Sequence, residues 1–237
     1  MVVINNSFLN THLPSDAPIR TYQQAEKVGL QRNERNRNVG AFSRVYSGFL
    51  PGETHAQRDQ RLSVRGAQCE LAAYAFAGLD TTPLADTTPR CAFKDESKDL
   101  KICLGGKSYT VDVKGVPTPG FVDTRFVTQP DPNYQGATGF KGGPSQLFVP
   151  RHQTRHLADF YLHMRYNSDK EGNMECVLIG IYHKDHLIPA TRGSAEGMEP
   201  GVGPSFTFEQ ALAGPPHHKL EHTTKKQQFL DNLQVTP

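Results

Sequence analysis

From Ser63 to Gly78 the chain reads Ser-Val-Arg-Gly-Ala-Gln-Cys-Glu-Leu-Ala-Ala-Tyr-Ala-Phe-Ala-Gly. An alanine-rich run opened by a capping-type serine and closed by glycine predicts the clearest helix of the sequence. Within it Ala67, Leu71 and Tyr74 recur at helical spacing, so Glu70, three after Ala67 and four before Tyr74, falls on the apolar stripe. Further on the period changes to two. Leu100, Ile102 and Leu104 alternate with Lys101 and Cys103, Gly105-Gly106 intervenes, and Tyr109, Val111 and Val113 alternate with Thr110, Asp112 and Lys114. Two alternating runs around a Gly-Gly pair predict a β-hairpin. Residues 160–166 alternate and predict another strand, and residues 176–182, apolar on both faces, predict a central one.

Elsewhere the pattern is weaker. A short helix is expected around Tyr22 to Leu30 and another over Phe206 to Leu212. Residues 115–150 are rich in Pro and Gly, with Phe121, Phe126, Tyr134 and Phe140 interspersed, and read as a long surface excursion. Residues 189–204 return to Gly and Pro and read as loop. The expected organisation is a basic amino-terminal extension over 1–60, a core over 61–214 containing the 115–150 excursion, and a basic carboxy-terminal tail over 215–237. Strands mixed with helices place the chain in the α/β class, with a mixed central β-sheet flanked by helices.

Composition narrows the setting. A chain of 237 residues can bury one sizeable core, and 36% hydrophobic with 21% charged residues is globular. No run of about 18 apolar residues is present, which predicts no membrane partner. The amino terminus has no basic region before its apolar start, so it does not read as a secretory signal. Cys69, Cys91, Cys103 and Cys176 include no close pair of the kind that zinc or redox motifs need, and are expected to be reduced thiols of a cytoplasmic protein, in the host cytoplasm if phage-encoded. Net charge is only +2, but from Arg20 to Arg65 nine basic residues face four acids. That excess fits a polyanion-binding surface or a solvated helix face.

The chemistry concentrates on the hairpin. Strand side chains repeat every two residues, so Asp112 and Lys114 share a face opposite Tyr109, Val111 and Val113. If Gly105-Gly106 is a two-residue turn, paired positions sum to 211 and Asp99 lies across from Asp112. Like charges placed so destabilise a strand pair. A hard divalent cation such as magnesium, which takes carboxylate oxygens and keeps several waters, removes the difficulty. If the register slips by one, Asp95 or Glu96 takes the place of Asp99. Glu70 needs an explanation of its own, because an ionised carboxylate on a core-facing stripe costs several kcal/mol unless paired, hydrogen-bonded or near a metal.

Gly66-x-x-x-Glu70 on a helix, Asp99 opening a strand, a tight turn and Asp112-Val113-Lys114 together resemble the PD-(D/E)xK nucleases of restriction enzymes, resolvases and small phage or bacterial nucleases. The resemblance covers roughly residues 63–114, and the strands near 160–182 fit the rest of a restriction-endonuclease-like core. Lys98 stands where that family's naming Pro stands. The resemblance implies that Asp99, Asp112 and the backbone carbonyl of Val113 bind Mg2+ or Mn2+, and that Glu70 assists the metal. It further implies that Lys114 orients the attacking water and offsets phosphate charge. The implied activity is metal-dependent hydrolysis of phosphodiester bonds in DNA, with RNA as an alternative partner, endonuclease and exonuclease both open, and a homodimer as a candidate assembly. The rivals are a nucleic-acid-binding protein without turnover and a structural or interaction protein on the same fold.

Other candidates carry less. His183 and His186 flank Lys184 and Asp185 in a segment that reads as a turn after a buried strand. His152 and His156, with Arg151 and Arg155, fit a phosphate-touching helix face or an exposed helix start equally. Ser63, Ser145 and Ser194 have no nucleophile motif around them, and no phosphate-loop motif occurs. Gly139-Phe140-Lys141-Gly142-Gly143 reads as a flexible loop.

Overall fold

Two threonines start the long helices. Thr21 and Gln24 exchange hydrogen bonds, backbone N–H to side-chain oxygen each way at 3.2 Å. Thr54 and Gln57 repeat the exchange at 2.9 and 3.3 Å. Each is a capping box, which satisfies amide groups that the first turn leaves without partners. The computed structural model describes residues 2–38, 53–77, 99–104, 107–117, 147, 149–150, 154, 156–168, 173–192 and 199–204. In it, α1 spans Asn6–His12, α2 spans Tyr22–Asn38 and α3 spans His55–Ala77. The cap at Thr54 makes α3 begin at His55 and not at the expected Ser63, and α2 continues to Asn38, past the expected end at Leu30.

Strands β1 (Val2–Ile4), β2 (Leu100–Leu104), β3 (Lys107–Pro117), β5 (Phe160–Ser168) and β6 (Met174–His183) form a five-stranded sheet in the order β1-β6-β5-β3-β2. Leu104 pairs with Lys107 and the ladder runs to Leu100 with Val111, the expected register. The β3–β5 pairing is parallel and the others are antiparallel, so the α/β class and mixed sheet are as expected. The strand expected over 176–182 lies between β1 and β5, buried on both faces at Cys176, Leu178, Ile181 and Tyr182.

A second, three-stranded sheet joins β4 (Val149–Pro150), β8 (Glu199–Pro204) and β7 (Leu187–Arg192), in the order β4-β8-β7. This corrects the loop expected over 189–204. Pro200 and Pro204 mislead because a central strand excludes proline, yet both lie at positions of β8 that two-residue β4 does not reach. Residues 2–38 are also more than a basic appendage: β1 is an edge strand of the central sheet, and α2 packs on α3.

Packing follows the alternation. Val111, Val113, Phe160, Leu162, Met164, Tyr166, Cys176, Leu178 and Ile181 share one core with Ala67, Cys69, Leu71 and Phe76 of α3. Leu147, Val149, Ala158, Tyr161 and Tyr182 form a second cluster, to which Tyr161 and Tyr182 contribute from the other face of the same strands. Two glycines set how closely α3 sits. A Cβ on Gly29 of α2 would lie 2.5 Å from Val64 Cα, and one on Gly115 of β3 would lie 2.5 Å from Cys69 Sγ. Among the described residues no helix is long and apolar enough to cross a membrane. Asp95, Glu96, Cys91, the 118–146 part of the excursion, Phe206–Leu212 and the 215–237 tail lie outside the described residues.

Candidate functional site

The site is built where β2 stops and β3 continues. Among the described residues Leu100 is the last partner of β3 on that edge, and Asp99 extends the contact. Its N–H donates to the Val111 carbonyl at 3.0 Å, and its Oδ2 accepts from the Val113 N–H at 2.7 Å. A side chain thus supplies the acceptor where the ladder has run out. The Tyr74 hydroxyl of α3 donates to the Asp99 carbonyl at 3.2 Å and fixes this residue from the helix side.

Asp112 projects from the face of β3 away from α3, as its alternation with Val111 and Val113 requires. It is 3% exposed. Lys114, two residues on, places Nζ 2.8 Å from Asp112 Oδ2. Burial pushes the Asp112 carboxyl up to about 8; Lys114 opposes the rise, whereas Asp99, close enough to hydrogen-bond with it, adds to it. Burial works against the Lys114 ammonium, yet Asp112 and Asp99 together hold it above its ordinary value. Two carboxyls and one ammonium therefore meet, as expected from the register.

Glu70 approaches from the other side. It is 6% exposed on the buried stripe of α3, and Arg32 Nη1 donates to both its oxygens, at 2.7 and 2.9 Å. Burial weakens the Arg32 cation, but Glu70, then Asp99 and Tyr74, hold it charged. Arg32 is thus the electrostatic link between Glu70 and Asp99. Sequence reasoning counted it among nine basic residues without singling it out. Among the described residues no three or more His, Cys, Asp or Glu side chains lie grouped as a ready metal site. The acids that meet directly are Asp99 and Asp112.

Several basic residues of the 20–65 segment have structural partners. Arg61 is 2% exposed and grips both oxygens of Glu53 at 2.7 and 2.9 Å. Arg58 contacts Asp59 at 2.6 Å. Arg65, buried, donates to Gln68 at 2.8 Å and lies over the Tyr166 ring. These three cations are neither a solvated helix face nor an open polyanion surface, because α3 turns them inward.

The segment around His183 and His186 is the turn expected after a buried strand. Lys184–His186 is a single 3-10 turn in which His183 Nδ1 accepts from the Asp185 N–H at 3.4 Å. His156 is exposed, and His152 lies outside the described residues. A residue that sequence reasoning passed over is His163 of β5. It is 1% exposed, has no hydrogen-bond partner at either ring nitrogen, and sits beside Lys114 in the parallel register. The available signal was a histidine of the same parity as Tyr161, between apolar Leu162 and Met164. No family model, curated protein or solved structure matches this chain.

Proposed function

We propose that the chain is a divalent-metal-dependent nuclease of the PD-(D/E)xK type with a restriction-endonuclease-like core, hydrolysing phosphodiester bonds of DNA. The observation that carries this reading is the contact of two carboxyls, Asp99 and buried Asp112, at a broken sheet edge beside Lys114. Among the described residues buried Asp112 and half-buried Asp99 meet one ammonium, and a doubly charged cation fits between two such carboxyls. Asp99 and Asp112 would hold Mg2+ or Mn2+, together with the Val113 carbonyl. That carbonyl points to the same strand edge as the Val113 N–H, which already meets Asp99. Glu70 would act on the ion at one remove, since Arg32 takes both its oxygens.

When bound, the ion supplies charge stabilisation at phosphate oxygens and lowers the pKa of a bound water. The chain's own residues do the rest. Lys114, anchored on Asp112 and 22% exposed at its side chain, presents an ammonium that orients the attacking water and offsets charge on a non-bridging oxygen. Asp99, fixed by the Val113 N–H and the Tyr74 hydroxyl, keeps the acid pair from swinging apart. Arg32 screens the phosphate from the negative charge of Glu70.

A second reading, binding of nucleic acid without turnover, draws on the Arg32–Glu70 pair, which satisfies the helix acid internally. One experiment separates the two. Wild type and Lys114→Ala are incubated with duplex and single-stranded DNA, with Mg2+ and with chelator. Cleavage confined to wild type with Mg2+ supports the nuclease; salt-sensitive binding with equal, absent cleavage in every arm supports the second reading.

A further inference from the structure

Glu70 and Tyr74 stand one helical turn apart on the buried stripe of α3. Tyr74 reaches the hairpin, its hydroxyl on the Asp99 carbonyl at 3.2 Å, while Glu70 reaches Arg32 of α2 at 2.7 and 2.9 Å. Glu70 is thus about 6 Å along the helix axis from the residue that touches Asp99. Both members of the Arg32–Glu70 pair are largely withdrawn from solvent, 19% and 7% exposed at their side chains. Charges so placed are screened much less than surface charges, and Asp99 acts on the Arg32 cation together with Glu70.

A doubly charged cation between Asp99 and Asp112 is attracted by Glu70 and repelled by Arg32. While these two are paired, their effects on the ion oppose each other. Among the described residues no three His, Cys, Asp or Glu side chains stand grouped, so Glu70 does not join the hairpin acids in one cluster. The helix acid that the nuclease resemblance turns toward the metal is turned toward Arg32 instead. Arg32 itself comes from α2, outside the residues 63–114 that carry the resemblance.

We propose that Arg32 sets the affinity of the site for its divalent ion, by cancelling the charge of Glu70 and holding that carboxylate off the ion. The ion then rests on the hairpin ligands and on the substrate phosphate, an arrangement common for Mg2+. Without Arg32 the site gains a net negative charge and a third carboxylate free to turn to the ion. The inference rests on the reading of Asp99 and Asp112 as metal ligands.

The test measures Mn2+ binding to the full chain, without DNA, by titration calorimetry in wild type, Arg32→Met, Glu70→Gln, and Arg32→Met with Glu70→Leu. Groups outside the ligands themselves typically change metal affinity by about 10- to 100-fold. Arg32→Met leaves the acid uncompensated and is expected to tighten Mn2+ on that order. Glu70→Gln leaves the cation uncompensated and is expected to weaken it on that order. The double variant is expected to stay within about threefold of wild type, because opposite charges removed together leave the field on the ion nearly unchanged. If Glu70 ligated the ion in wild type, the double variant would bind as weakly as Glu70→Gln, and that result overturns the proposal. An unchanged or weakened affinity in folded Arg32→Met overturns it as well. Should Arg32→Met not fold, a weakened Glu70→Gln beside an unweakened double variant supports the proposal, and equal affinities in those two overturn it. Mn2+ binding of equal affinity in wild type and every variant overturns this proposal alone. Absence of Mn2+ binding in wild type and every variant removes the nuclease reading and this proposal with it.

Discussion

Arg32 on α2 and Glu70 on α3 form a two-oxygen ion pair, at 2.7 and 2.9 Å, across the helix crossing that Gly29 makes close. Neither partner is more than one-fifth exposed at its side chain. Removing one member of a buried pair strands the other charge, at a cost of about 3–5 kcal/mol when burial is complete, whereas replacing both by apolar groups is often neutral. Arg32→Met is therefore expected to lower unfolding free energy by about 2–4 kcal/mol in urea, given the partial exposure of Arg32. Arg32→Met with Glu70→Leu is expected to restore most of the loss. Equal losses in single and double variants would show that the pair contributes through packing alone.

Metal dependence is expected to appear as stability before it appears as rate. A ligand that binds only the folded state adds about 2.7 kcal/mol at one hundred times its dissociation constant. Thermal unfolding with Mg2+ or Mn2+ is expected to rise relative to chelator in wild type, and the rise to vanish in Asp112→Asn. A metal-induced rise of equal size in Asp112→Asn argues against ligation by that carboxylate.

Gly115 tests how α3 is held on the sheet. A Cβ there would lie 2.5 Å from Cys69 Sγ and 3.4 Å from Cys69 Cβ, with Tyr166 at 3.6 Å. Overpacking of this kind costs about 1–3 kcal/mol. Gly115→Ala is expected to lower the unfolding free energy by that amount, read as a lower urea midpoint, and Cys69→Ala in the same chain to return part of it, since the closest atom is then gone. Because Cys69 adjoins Glu70, the single variant is also expected to weaken any metal-dependent stabilisation. An unchanged midpoint in Gly115→Ala would mean that the helix rests farther from β3.

What the sequence makes legible here is local. The hairpin register follows from Gly105-Gly106 and the alternation on either side, and it places Asp99 beside Asp112 without reference to the rest of the chain. The stripe of α3 follows from spacing, so Glu70 is marked as a buried acid. Its partner is not marked, because Arg32 comes from another helix and nothing local distinguishes it from Arg35 or Arg37. The capping boxes at Thr21-x-x-Gln24 and Thr54-x-x-Gln57 were readable and would have set both helix starts. β7 and β8 were hidden because Pro200 and Pro204, paired with β7 but beyond the reach of β4, look the same in sequence as prolines in a loop. His163 was hidden because burial of a histidine is decided by the strands on both sides of it.

His163 also gives the chain an acid sensitivity with a defined sign. Burial, and then Arg165 on the same strand, bring its ring down to about 3 from the ordinary 6.5, with Lys114 on β3 and Tyr182 on β6 as further neighbours on that face. Below pH 6.5 the unfolded chain takes up a proton that the folded chain refuses. The contribution to stability is therefore complete above pH 6.5 and is lost progressively as pH falls toward 3. At about 1.4 kcal/mol per unit, the loss between pH 7 and pH 4 is on the order of 3 kcal/mol. His163→Phe lacks this titration but keeps every carboxylate of wild type, so those groups cancel when the two proteins are compared. Urea unfolding at pH 7, 6, 5 and 4 is expected to show the stability of His163→Phe improving relative to wild type by about that amount at the acid end. Parallel curves over the whole range would mean that the imidazole is reached by solvent and protonates freely in the folded chain.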